Sequence, residues 1–217
     1  MALTARALTI VAQVKAVLIG IGESIPAGHD ATLEFFINAA TDEIERYCRR
    51  IFLKQTYTQE TYVGTTSARL QLRQWPVISV ALVEESTDYG ATWAVVPSGQ
   101  YFIAPIGATE NLEAKKYLVR PQGWRDGRAD AQWLPIRGDA LTTRLTYDAG
   151  YVLPQGTPRD LPYDLERAVC DIVASEYLYR GKPALVSESF GGSSLSFSQD
   201  RWPLSAKDVV RRYRRLI

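Results

Sequence analysis

The chain has 217 residues, 46% of them hydrophobic and 23% charged. That length suits one large domain or two small ones, and it buries roughly 70% of the surface an unfolded chain exposes, so no staple is needed for stability. Twenty-five basic residues against 24 acidic ones leave a net charge of +1, which excludes a global field drawing the molecule to nucleic acid.

Thr9 opens the first predicted helix, at about 9–19. Its hydroxyl is placed to cap, Val11, Val14 and Leu18 form an apolar stripe, and Gly20 is placed to stop it. Residues 21–29, with Gly22, Pro26 and Gly28, read as a loop. Asp30 is placed to cap the next helix, at about 31–52. There Leu33, Phe36, Ile37, Ala40, Ile44, Tyr47, Cys48 and Ile51 recur at steps of three and four, on one wide stripe that other elements must cover. Arg46, Arg49 and Arg50 gather at its C-terminal end, where the helix dipole favours positive charge.

After Phe52 the helical period fades. The segment 55–63 reads as a strand on its Thr and Tyr content, with Tyr57, Gln59, Thr61 and Val63 on one face. ARLQLR follows as a second strand, Trp75-Pro76 as a corner, and 77–86 as the most apolar strand. Further strands are expected at 91–96, 100–104 and 116–121, with turns at Gly90 and at Pro97 to Gly99. Residues 123–139 show no period. The segment 141–152 closes the β region, with Leu141, Thr143, Leu145 and Tyr147 on one face.

Pro162 suits a first helical turn. From 163 to 180, Leu165, Ala168, Val169, Ile172, Val173 and Tyr179 lie on one side, and Cys170, Tyr177 and Leu178 extend the apolar surface nearly all round, so this helix should be central. Residues 181–200 are rich in Gly and Ser, with too little apolar content to fold alone. Ser205 and Asp208 resemble a capping box before a short last helix, at about 206–215.

The predicted class is therefore α+β. An antiparallel helical bundle, formed by residues 1–53 and 160–217, carries a β-rich insertion at 54–159.

Chemistry-bearing patterns are sparse. The lone histidine, His29, sits in a loop with no second histidine or nearby cysteine to complete a metal set, and reads as an exposed side chain. No GxSxG, P-loop or GxGxxG motif is present. Glu84-Glu85 lies beside a turn, and scattered carboxylates read as solvated faces. Cys48 and Cys170 read as small buried hydrophobes, since a disulfide would need their helices to cross at that point. No catalytic residue, cofactor site or metal site is assigned. No signal peptide is expected, and no apolar run reaches the ~20 residues of a membrane span.

The tail is the sharpest anomaly. From 201 onward six basic residues face one acid, Asp208, a local charge of +5 on a chain of +1. Trp202, Val209, Val210, Arg211, Arg212, Tyr213, Arg214 and Arg215 combine the residue types that anchor protein interfaces. A nucleic-acid-binding module using the same arginines is the alternative, and a solvated basic helix packed by Val210 and Tyr213 on its own domain is the bland reading. A glycan-processing β domain is a further rival, resting only on Trp93, Trp124 and Trp133.

The order of four stretches resembles the head–tail connector (adaptor) family of long-tailed bacteriophages: TIVAQVKAVLIGI with ATLEFFINAATDEIERYCRRIF, RLQLRQWPVISV, LTYDAGYVLP leading into DLPYDLERAVCDIVASEYLYRG, and LSAKDVVRRYRRLI. The resemblance implies a non-enzymatic virion protein assembled in a bacterial host cytoplasm. It implies a homo-oligomeric ring, a dodecamer, beneath the portal protein. The ring would meet a stopper or tail-completion protein, with genome DNA passing through the lumen unread and no membrane involved. It also implies that 202–217 reaches toward the portal. A chain cut after Ser194 should then stay folded yet fail to join heads.

Overall fold

The computed structural model describes residues 2–63, 67–86, 88, 90–104, 115–124, 141–180, 187–190, 193–196 and 202–215. It is mixed α+β and divides into two compact units: Met1–Leu53 with Tyr151–Ile217, and Lys54–Gly150.

The first unit holds helices α1 (Val11–Gly20), α2 (Asp30–Cys48), α3 (Tyr163–Tyr179) and α4 (Leu204–Arg212). The α2 stripe is buried where the period placed it, at Leu33, Ile37, Ala40, Ile44 and Cys48. These side chains join Val14 and Leu18 of α1 and Leu165, Val169, Ile172, Val173 and Tyr177 of α3 in one core. α3 is the most deeply packed helix, although Leu178 and Tyr179 at its end are exposed.

The helix starts differ from the sequence expectation, and at α1 and α2 the expected capping side chains are engaged in tertiary contacts. α1 begins at Val11, and the Thr9 hydroxyl lies 3.2 Å from Cys170 Sγ and donates to Glu166 Oε1 at 3.5 Å, both on α3. Asp30 is the first residue of α2, not its cap, and pairs with Lys15 of α1 at 2.5 Å. The Ser205–Asp208 capping box is not formed. α4 starts two residues earlier, at Leu204 directly after Pro203, whose φ of −54° already suits a helix entry.

α2 stops at Cys48, short of 52. Arg49 takes a left-handed conformation, φ 55°, and Arg50 N–H then bonds back to the Glu45 carbonyl at 3.2 Å. This is the helix-ending geometry usually given to glycine. The buried Glu45 carboxylate accepts from Phe52 N–H at 3.0 Å and so fixes the exit path. Both cysteines are buried free thiols.

Residues 181–200 were expected to lack structure of their own. Within them β8 (Ser187–Phe190) and β9 (Ser193–Ser196) pair as an antiparallel hairpin. Main-chain hydrogen bonds make it despite the poverty of apolar side chains.

The second unit has two antiparallel sheets. One is ordered β1 (Gln55–Val63), β7 (Leu141–Ala149), β3 (Val77–Glu85), β4 (Ala94–Val95), and the other β2 (Arg69–Gln71), β6 (Tyr117–Val119), β5 (Phe102–Ile103). β7 is central and buries Thr143, Leu145, Tyr147 and Ala149 on one face. In β1 the strict alternation fails. A bulge between Tyr57 and Glu60, with Gln59 at φ 52° and its N–H bonded to Thr146 Oγ1 at 3.1 Å, turns Glu60 inward. Its carboxylate accepts from Tyr62 and Tyr147, both hydroxyls at 2.5 Å. Glu84 and Glu85 are buried rather than solvated. Arg144 grips Glu84 with two bonds, at 2.5 and 2.9 Å, and Arg120 pairs with Glu85.

Candidate docking edge

Among the described residues no three His, Cys, Asp or Glu side chains are placed to hold a metal. His29 is half-buried, its Nδ1 2.6 Å from the Tyr177 hydroxyl, so it ties the start of α2 to the end of α3. Trp93 lies under the Arg144 guanidinium, and Trp124 is buried with its indole N–H on the Ala68 carbonyl at 3.1 Å. Both serve the packing of their unit, and Trp133 lies outside the described residues. No described helix is long and apolar enough to cross a membrane.

The tail residues sort into two sets. Trp202, Val210 and Tyr213 are buried in the core of their own unit. The Trp202 ring meets Tyr47 of α2 edge-on at 5.3 Å. Tyr213 packs edge-on against Phe52 and donates to Asp164 Oδ1 at 2.6 Å. Val209 is half-buried against the same core. The remaining members face outward: Arg211, Arg212 and Arg214 are exposed and Arg215 is half-exposed. Amphipathicity explains the sorting, since the apolar face of α4 fills the space between α2 and α3 while its guanidinium groups stay in water.

The C-terminal ends of α4 and α2 meet. Arg215 N–H donates to the Cys48 carbonyl at 2.9 Å, and Cys48 Sγ lies 3.6 Å from the Val210 carbonyl. The Arg214 guanidinium sits over the Tyr47 ring, 5.1 Å from its centre. Burial pushes the Cys48 thiol up to about 12, against the opposing influence of Arg50 and Arg214. Arg50 is itself buried, its guanidinium stacked on Phe52 at 4.7 Å.

This meeting brings the end of α2, where Arg46 and the C-cap residue Arg49 are exposed, against Arg214 and Arg215. Sequence reasoning placed its candidate docking residues in the tail alone. The positive charge at the end of α2 was visible, with nothing to say that the tail lies against it.

No protein-family model matches the chain, and no curated protein matches it. Solved structures do. A chain in the neck of an empty gene transfer agent particle, computed with C6 symmetry, aligns over 100% of this chain and 94% of its own length, with a TM-score of 0.55 and 18% identity. A chain from the virion of the native particle gives 0.54 and 19%, again over 100% and 94%. One from the native neck computed with C12 symmetry gives 0.53 and 17%, over 100% and 93%. The shared property at these identities is the fold, along the whole chain.

Proposed function

We propose that this protein is a structural subunit of the neck of a tailed-phage-like particle, an adaptor ring between the portal and a stopper or tail-completion protein. The observation that carries the reading is the end-to-end fold likeness to chains in the neck of a gene transfer agent particle. The sixfold and twelvefold symmetries used for those necks support a ring of twelve copies here, each repeating one heterologous contact around the axis. In this reading the helical unit is an antiparallel bundle that docks on the portal through the outward-facing side chains of its C-terminal segment, with Trp202, Val210 and Tyr213 kept in its own core. The β-rich unit supplies subunit contacts or the lower surface, and DNA passes through the lumen without being read. The protein works by assembly and carries no catalytic step.

The test is to mix the purified protein with purified portal assemblies of the same particle and image the product in negative stain. An added ring on the portal axis is expected. Portals that remain bare at saturating protein would overturn the reading.

A further inference from the structure

The four-stranded sheet of the second unit ends in two open edges. β1 is its last strand on one side, and no described strand pairs with its outer edge. On the other side β4 covers β3 only at Glu84 and Glu85, and Val96 N–H adds one bond to the Val83 carbonyl at 2.8 Å. Over residues 77–82 the outer edge of β3 pairs with no described strand. A row of main-chain groups left this way is a template for another strand, and soluble proteins usually blunt it with charge, lysine above all. These two edges lack that protection. Residues 77–83 contain no charged side chain. Glu60, the single charged residue of β1, is turned inward onto the Tyr62 and Tyr147 hydroxyls. The side chains beside the edges are uncharged and in contact with water: Val63 is 45% exposed and Ile78 43%, and Thr58, Ser79 and Ala81 are exposed as well.

The two edges suit each other. Both strands are nine residues long. β1 runs antiparallel to β7, and β7 antiparallel to β3, so β1 and β3 point the same way. Copies set around a many-fold axis differ from their neighbours by a small rotation. β3 of one copy can therefore lie beside β1 of the next as a parallel neighbour. The edges are two different surfaces, as a head-to-tail contact that repeats into a closed ring requires. Pairing β1 with a second β1 would be isologous and stop at two copies. In the ring each copy uses both edges, and closure leaves none open. Each strand also shifts register twice against β7, β1 after Tyr57 and after Tyr62, β3 after Val77 and after Val80. Bulges of this kind bend and twist a strand, and sheets that curve toward closure are built with them.

We infer that the outer edges of β1 and β3 are the contact between neighbouring copies of this chain, joined as a parallel strand pair that continues the sheet from subunit to subunit. The inference rests on the neck reading and deepens it, by naming the surfaces on which the ring closes. Main-chain hydrogen bonds supply the pairing, and the small side chains of Ser79 and Ala81 let the second strand approach.

The test places a charge on each edge in turn and then on both. The full chain is mixed with purified portal assemblies of the same particle, and portals bearing a complete ring are counted in negative stain. Ile78→Lys with Ala81→Lys on β3 is expected to lower that count by about tenfold or more, because an unpaired charge would be buried at the contact. Thr58→Glu with Val63→Glu on β1 should do the same. The chain carrying all four changes sets lysine against glutamate at every contact and should regain rings, at least in part. All these positions are exposed, and circular dichroism should show the fold unchanged. Should the β3 pair fail to fold, Ala81→Lys alone keeps the comparison, with a smaller loss expected. Complete rings from either double variant would refute the inference and leave the neck reading standing. Loss without recovery in the fourfold variant, or loss from the β3 changes alone, would also refute it, the latter by assigning the β3 edge to another chain. Portals left bare by the unmodified protein would overturn the neck reading, and the inference with it.

Discussion

Replacing Trp202 by alanine tests whether α4 belongs to the body of the subunit. The indole is 8% exposed and meets Tyr47 edge-on at 5.3 Å. Truncating a large buried aromatic to alanine costs about 3–5 kcal/mol, through lost burial and the cavity left behind. In a chain of this size, a loss of that order lowers the melting temperature by roughly 10 °C. The ring pair adds a separable contribution: a double-mutant cycle with Tyr47→Ala should return a coupling of about 0.5–1.5 kcal/mol. Urea unfolding followed by far-ultraviolet circular dichroism reads all three quantities, and Trp202→Phe should recover most of the loss. A cost below about 1 kcal/mol with no coupling would place it among surface substitutions. It would mean that the tail is loose on the free subunit, and the burial argument would fail. The same reasoning reverses the expectation for a chain cut after Ser194. That cut removes Trp202, Ala206, Val210 and Tyr213 from the core, so the product should be strongly destabilised.

Three further outcomes follow from the packing. Glu60→Ala strips the acceptor from the buried Tyr62 and Tyr147 hydroxyls, and urea unfolding should show a loss of about 1–3 kcal/mol. Burial holds the Cys48 and Cys170 thiols at about 12 and about 11, so both should resist a thiol reagent at neutral pH and react at once in denaturant. Asp88 accepts from the hydroxyl and N–H of Thr92 and from the Ser86 hydroxyl, which hold its carboxyl at about 2 against an ordinary 3.8. Its folded value lies below its unfolded one, so its contribution is full above pH 3.8 and is lost as pH falls toward 2. Asp88→Asn should flatten that part of a stability–pH curve.

The helices were legible because their apolar residues keep one period over several turns, as from Leu33 to Cys48. β7 was legible because Thr143, Leu145 and Tyr147 alternate against polar neighbours. What could not be read depended on partners far away in the chain. The bulge in β1 exists because Gln59 N–H finds Thr146, and Glu84 and Glu85 are buried because Arg144 and Arg120 reach them. Thr9 and Asp30 looked like caps, but tertiary contacts outbid the local use of their oxygens. At the tail, sequence showed an apolar face and a basic face. An amphipathic pattern does not say whether its apolar side meets its own core or another chain. In this structure Trp202, Val210 and Tyr213 meet their own core, which leaves the arginines for the outside.

The most direct test of the neck assignment is a cryo-electron reconstruction of purified particles carrying a small tag fused to this chain. Extra density in a ring of twelve between portal and tail is the predicted result. Tag density on the capsid shell or tail tip, or none on any particle, would contradict it.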